Sequence, residues 1–90
     1  RIVRLNEFHV DVWPEGVVLI CLNEDKPGII GGLGTLMAQN HINIGAMTLG
    51  RTRRGGKAAT ILNLDAQLTE DILDEVKNIQ HVNDAKIVIL

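Results

Sequence analysis

The chain has 90 residues, of which 46% are apolar, and a formal net charge of −2 at pH 7. This length is enough for one domain with a single core, and the apolar content excludes a disordered segment. The slightly acidic balance gives no basic surface for nucleic acid or an anionic membrane. A single cysteine, Cys21, excludes a disulfide framework and a CxxC metal site, and its apolar neighbours predict a buried thiol.

No apolar stretch approaches the roughly 20 residues that span a bilayer, and no segment resembles a signal peptide. The chain begins at Arg1 without an initiator methionine. We therefore expect a cytoplasmic piece of a longer protein.

The first segment, residues 1–13, alternates apolar and polar residues on both sides of Asn6-Glu7, which predicts a small hairpin. Pro14-Glu15-Gly16 follows as a linker. Because an isolated two-stranded hairpin is marginally stable in water, we expect residues 1–13 to belong to a preceding domain. Residues 17–90 would then form the second domain.

An apolar run from Val17 to Leu22 predicts a strand, and Pro27 lies where a helix is expected to begin, with Asp25 or Lys26 just before it. The apolar residues that follow share one helical face. They are Ile29, Ile30, Leu33, Leu36 and Met37. Asn40-His41 ends this predicted helix.

The second half predicts a hairpin, a helix and a last strand. Ile42–Thr52 and Ala58–Leu64 are the strands of the hairpin, joined by a turn at Gly55-Gly56. Thr69 is the predicted N-cap, with acidic residues in the first turn that follows it. The apolar face of this second helix is Ile72, Leu73, Val76 and Ile79, and Val82–Leu90 reads as the final strand.

The order of elements is β-α-β-β-α-β, which predicts an α+β fold of the ferredoxin-like type. Right-handed crossovers place both helices on one face of a four-stranded antiparallel sheet. Aliphatic residues on both sides of the strands suggest that a partner sheet or helix layer covers the other face.

The loop from Asn23 to Gly28 is the leading candidate for a binding site, because it leads from a strand into a helix N-terminus. Backbone amides there can receive a carboxylate, and Asp25 can receive an ammonium group. The alternative is that Asn23 and Asp25 are simple turn residues, and that Asn43 only starts a strand. In this fold the loop and Asn43 flank opposite ends of the first helix, so one ligand would need two protomers joined side by side.

The sequence gives little support for nucleotide binding, catalysis or metal binding. Gly28 could let a ligand approach the backbone, whereas the alternative for the glycines at 31, 32 and 34 is close packing of the helix. Neither GxGxxG nor a P-loop is present, serine is absent, and the three histidines are scattered without metal-ligand spacing. We expect no catalytic residue and no metal site. Arg51, Arg53, Arg54 and Lys57 bracket the turn as a solvated tip or a docking surface.

A family resemblance rests on specific segments. They are Asp25–Gly31, Gly34-Thr35-Leu36, Ile42-Asn43-Ile44 and Leu49-Gly50-Arg51. With these segments, Val17–Leu90 resembles an ACT domain, and within that superfamily the regulatory domains of the D-3-phosphoglycerate dehydrogenases. The hairpin at 1–13 is similar to the closing strands of the intervening domain in the longer dehydrogenases. ACT domains of iron–sulfur L-serine dehydratases, or a purely oligomerising ACT module, are the alternatives.

The resemblance implies feedback control of serine biosynthesis by L-serine, bound at the interface of a homodimer that pairs through sheet edges or helices. The implied ligand-binding residues are Asn23, Asp25, Lys26, Gly28, Ile29, Asn43 and Ile44. It implies no cofactor in this segment, and NAD in the catalytic part of the parent enzyme. Neither nucleic acid nor membrane is an expected partner; an RNA-binding sheet would need exposed aromatic residues on its central strands.

Overall fold

The computed structural model describes residues 2–5, 8–13 and 15–90. Within these residues there are six strands and two helices. In chain order they are β1 (Ile2–Leu5), β2 (Phe8–Asp11), β3 (Val17–Glu24), α1 (Ile29–Gln39), β4 (Ile44–Arg51), β5 (Lys57–Leu64), α2 (Glu70–Lys77) and β6 (Val82–Ile89).

Strands β3 to β6 form a four-stranded antiparallel sheet in the order β4-β5-β3-β6. This order and the β-α-β-β-α-β sequence of elements confirm the ferredoxin-like fold. The register alternates faces along each strand, so Leu19 and Leu62 lie on one side of the sheet, and Val18 and Ile61 on the other.

Both helices pack on the same face of the sheet. Ile29, Leu33 and Met37 of α1 share a buried core with Val76 of α2 and with residues of the central strands, including Leu19. Burying one apolar stripe of each helix against the sheet is what stabilises helices this short. No described helix has the length and apolar character needed to cross a membrane.

The start of α1 differs from the expectation. The N-cap is Gly28, with φ of 98°, and Pro27 lies two residues before the first helical residue, Ile29. A left-handed residue is accessible to glycine at no steric cost, so the chain turns sharply at Gly28 to enter the helix. Neither Asp25 nor Lys26 caps the helix, because no side chain accepts a hydrogen bond from its first turn.

The second helix follows the sequence closely. Thr69 is its N-cap and accepts a hydrogen bond from the Ile72 amide at 3.3 Å. Glu70 and Asp71 lie in its first turn and Lys77 in its last, which complements the helix dipole at both ends. Ile79 lies beyond the helix, yet it packs against the core.

The hairpin expected near the N-terminus is present, with β1 paired antiparallel to β2. The Asn6-Glu7 turn and Pro14 lie outside the described residues. Strand β2 rests on the outer face of the sheet, where Val10 and Val12 are buried with Val18 and Ile61. This segment of the same chain therefore covers part of the face that the sequence suggested for a partner layer.

Polar contacts fasten the hairpin to the sheet as well. The Thr48 hydroxyl donates to the Asp11 carbonyl at 3.2 Å, and the Asn63 side-chain amide donates to the Trp13 carbonyl at 3.0 Å. The hairpin is thus held by apolar burial and by hydrogen bonds at two places.

Candidate functional site

Asp25 lies at the centre of a contact between the loop after β3 and the β4–β5 turn. Its Oδ2 accepts hydrogen bonds from Arg51 Nη1 at 2.9 Å and from the Gly55 amide at 3.0 Å. Its own amide donates to the Gly56 carbonyl at 2.7 Å. The loop is therefore clasped by the turn, although it is separated from it by about 30 residues of sequence.

The same contacts act on the charge of Asp25. The Gly55 amide and the Arg51 guanidinium lower the pKa of the carboxyl below its ordinary value. Asp25 is therefore ionised at neutral pH and carries the negative charge that an ammonium group would seek.

The basic residues of the turn are only partly solvated. Arg51 pairs with Asp25, and Lys57 pairs with Glu24 at 2.6 Å across neighbouring strands. Arg53 and Arg54 are exposed, as expected for a hairpin tip. Two residues of the basic cluster, Arg51 and Lys57, therefore form ion pairs within the chain, and the other two lie at a solvated tip.

Asn23 is buried, with 2% of its surface exposed, on the helix side of the sheet. Its Oδ1 accepts a hydrogen bond from the Thr60 hydroxyl at 2.9 Å, and its Nδ2 donates to the Glu24 carbonyl at 2.8 Å. Asn23 therefore lies within β3 and not in the loop where the sequence placed it, and a ligand would reach it only after a change in these contacts.

The remaining predicted residues of the loop surround the start of α1. Lys26 and Gly28 are exposed, whereas the side chain of Ile29 is buried in the core. The first backbone hydrogen bond of the helix runs from the Gly32 amide to the Gly28 carbonyl at 2.8 Å. Amides before Gly32 therefore have no acceptor within the helix and can face an anion.

Asn43 and Ile44 lie at the other end of α1. Asn43 Nδ2 donates to Asp65 Oδ2 at 2.8 Å, and the Asn43 carbonyl accepts from the Asp65 amide at 3.0 Å. Since α1 has 11 residues and is about 16 Å long, one protomer does not bring Asn43 next to Asp25. The geometry agrees with the expected placement at opposite ends of the helix.

A groove of about 500 Å³ lies between Asn43 and the C-terminal half of α1. Gly34, Met37, Ala38 and residues 41–44 line it. Ile30, Gly34 and Ala38 are spaced four residues apart, so they form one line on the helix surface. A Cβ added at Gly34 would meet nothing within 4 Å, so this line is open in the single chain.

The neighbouring strand β4 is an edge of the sheet and carries exposed apolar side chains on the helix side. Met47 is 51% exposed and Leu49 is 48% exposed, and each is paired in register with a buried residue of β5. We call this area, formed by Ile30, Gly34, Ala38, Met47 and Leu49, the α1–β4 surface. An open edge strand beside apolar side chains is suited to association with another chain.

The glycines of α1 do not all have the same role. A Cβ at Gly32 would lie 3.3 Å from Ile79, so this glycine allows close packing against the segment after α2. Gly31 and Gly34 have open space instead. Close packing therefore explains one of the three interior glycines.

Among the described residues, no group of three or more His, Cys, Asp and Glu side chains is placed to hold a metal ion. Burial raises the pKa of the Cys21 thiol to about 12. A buried thiol that remains protonated is a poor nucleophile, which agrees with the predicted structural role of Cys21.

Three residues of this site were missed by reasoning from the sequence. Thr60 holds Asn23, Asp65 holds Asn43, and Arg51 holds Asp25. The sequence carries a signal only for Arg51, because the predicted hairpin places it beside the turn. Each pairing joins residues that are 22 to 37 positions apart.

The chain is similar in sequence to known proteins over most of its length. The profile of the ACT domain family matches residues 17–81. D-3-phosphoglycerate dehydrogenases from Bacillus subtilis, Archaeoglobus fulgidus and Synechocystis are 34%, 38% and 37% identical over 98%, 94% and 94% of this chain. The chain spans only 17%, 16% and 15% of those relatives. With the βαββαβ fold and the match over most of its length, the chain belongs to the ACT domain family.

Proposed function

We propose that this chain is the amino-acid-sensing regulatory domain of a D-3-phosphoglycerate dehydrogenase, and that L-serine binds it at a dimer interface for feedback control of serine biosynthesis. The names of the relatives support this parent enzyme. The catalytic part and the NAD site would lie elsewhere in the parent, because this sequence has no dinucleotide-binding GxGxxG motif. We expect the parent enzyme to be cytoplasmic.

The observation that carries the proposal is the open α1–β4 surface between two polar ends. Asp25 lies beyond one end of α1 and Asn43 beyond the other. Two protomers that meet antiparallel along β4 and α1 would bring Asp25 of one chain towards Asn43 of the other. The exposed Met47 and Leu49 would be buried by the same contact.

In this arrangement the ligand's ammonium meets Asp25, and its carboxylate meets the amides at Gly28 and Ile29. The ligand's hydroxyl meets Asn43 of the second protomer, with Ile44 beside it. Lys26 lies exposed in the loop, and Asn23 lies buried near the end of β3, just before the loop. Ligand held by two chains favours one quaternary arrangement, by a coupling free energy of about 1–3 kcal/mol.

The test is calorimetric titration of the protein with L-serine, with glycine and L-alanine for comparison and sedimentation in parallel. We expect saturable binding of L-serine by a dimer, and loss of binding in Asn43→Ala. Because that change also breaks the hydrogen bond to Asp65, Asp65→Ala is the matched control: it breaks the same bond and should retain binding. Asn83→Ala, which changes an exposed residue of β6, is a second control.

One observation favours a second candidate, the ligand-free oligomerisation module. Asn23 and Asp25 already have hydrogen-bond partners within the chain. A well-formed dimer that binds no amino acid would support that module and contradict the sensor. L-serine binding unchanged in both Asn43→Ala and Asp25→Ala would contradict the assigned site.

A further inference from the structure

We propose that Arg51 is a ligand-binding residue that receives the ligand's carboxylate together with the amides at Gly28 and Ile29. With Asp25 it forms a two-charge clamp for the ammonium and carboxylate of one amino acid. This inference rests on the proposed function, since it names how the same site recognises its ligand. It adds a residue that lies on β4, outside the loop and helix N-terminus considered so far.

The first step concerns the hydrogen-bonding groups that the ion pair leaves open. Oδ2 of Asp25 accepts from both Arg51 Nη1 and the Gly55 amide. Among the described residues, Oδ1 of Asp25 has no hydrogen-bond partner, and Arg51 uses only Nη1 of its five N–H donors. The pair therefore presents an open carboxylate oxygen beside open guanidinium donors.

The second step concerns solvent access. The side chain of Asp25 is 19% exposed and that of Arg51 is 45% exposed. Both charged groups can thus be reached from solvent. Glu24 and Lys57 form a second ion pair on the neighbouring strands. A small zwitterion can approach the Asp25–Arg51 pair without breaking either ion pair.

The third step concerns charge. An amino acid carries an ammonium and a carboxylate on one carbon, and the clamp carries the complementary charges side by side. Ligand binding then forms two opposite-charge contacts and leaves no charge unpaired. An amine without a carboxylate would meet Asp25 but would also be repelled by Arg51, so the clamp selects amino acids over simple amines.

The fourth step concerns preorganisation. The Asp25 amide donates to the Gly56 carbonyl, and the Gly55 amide donates to the Asp25 carboxylate, so loop and turn hold each other in place. Gly55 adopts a φ of 75°, which suits glycine and lets its amide point at the carboxylate. Groups fixed before binding lose less conformational entropy when the ligand arrives.

The experiment compares two ligands and three proteins by calorimetry. The ligands are L-serine and ethanolamine, which is serine without its carboxylate. The proteins are the unmodified chain, the variant Arg51→Gln and the variant Arg53→Gln. Arg53→Gln is the control, because it removes an equal charge at an exposed arginine of the same turn. Circular dichroism checks that each variant is folded.

We expect Arg51→Gln to bind L-serine roughly tenfold more weakly than the unmodified chain, because a charge-assisted contact is lost. Ethanolamine should bind Arg51→Gln at least as well as the unmodified chain, and Arg53→Gln should resemble the unmodified chain for both ligands. If L-serine affinity is equal in the unmodified chain and Arg51→Gln, or if both ligands lose affinity equally, the clamp is overturned but the serine sensor is not. If the folded, unmodified chain binds no L-serine, both the proposed function and the clamp are contradicted.

Discussion

Gly50 lies on β4 against the N-terminal hairpin, and replacing it with alanine tests how the hairpin is held. A Cβ at this position would lie 2.6 Å from Val10 Cγ1 and 3.8 Å from Phe8 Cδ1. Carbon atoms in good contact are about 3.5–4.0 Å apart. The Gly50→Ala change therefore requires a movement of about 1 Å between strand and hairpin.

The change in the free energy of unfolding follows from two opposing effects, and it is compared with the cost of releasing the hairpin from the sheet. Overpacking of this kind costs about 1–3 kcal/mol, whereas alanine in a strand gains about 0.5–1 kcal/mol over glycine. Release of the hairpin would expose Phe8, Val10 and Val12, each 6% exposed or less, at about 1.5–3 kcal/mol apiece. A small shift is thus cheaper than release, and we expect a net loss of up to about 2.5 kcal/mol in the free energy of unfolding.

Urea denaturation followed by fluorescence measures this loss, because Trp13 is the only tryptophan in the chain and directly follows the hairpin. Gly45→Ala is the matched control on the same strand: its Cβ would lie 3.4 Å from Asp65 Oδ1, at ordinary contact distance. If Gly50→Ala proved as stable as Gly45→Ala, the hairpin would not rest on β4 as described.

Three further predictions concern the helices and the core. Thr69→Ala should lower the free energy of unfolding by about 1 kcal/mol, because the Ile72 amide loses its acceptor; urea denaturation measures this, and a loss of the same size in Thr35→Ala, which is exposed within α1, would contradict the capping role. Gly34→Ala should raise the free energy of unfolding of dilute protein by about 1 kcal/mol, since the added methyl meets no atom; destabilisation would show that the space is occupied. Cys21 should resist iodoacetamide at pH 8 in native protein and react in urea, because its thiol is buried and has a pKa of about 12; rapid labelling of the native chain would contradict this.

The elements that the sequence predicted well are those determined by local patterns. The helix after Thr69 shows its capping residue, its acidic first turn and its apolar face within about ten consecutive residues. The core positions Leu33 and Met37 likewise follow from helical spacing alone. These local patterns predict the structure correctly because tertiary packing here reinforces the local preference and does not override it.

The features that the sequence did not predict depend on contacts between distant segments. Part of the outer face of the sheet is covered by β2 and by Val12 just after it, because Val10 and Val12 fit against Val18 and Ile61. No periodicity in the sequence indicates which surface a hairpin will contact. The start of α1 was misplaced because Pro27 is a strong signal for the first helical residue, but Gly28 turns the chain after it. Likewise, Asn23 resembled a loop residue and is instead buried beside Thr60.

The position of Arg51 connects the proposed clamp to the hairpin through strand β4. Arg51 and Gly50 are neighbours on β4 and lie on opposite faces of the sheet, so Arg51 reaches Asp25 while Gly50 lies against Val10. A ligand can influence the hairpin only if it binds two arrangements of β4 with different affinity. Ligand contact with Arg51 would act on this strand one residue from the hairpin contact, whereas contact with Asn43 acts near its other end. If residues 1–13 belong to a preceding domain, as the sequence predicts, the end of β4 at Gly50 and Arg51 would be where occupation of the proposed sensor reaches that domain.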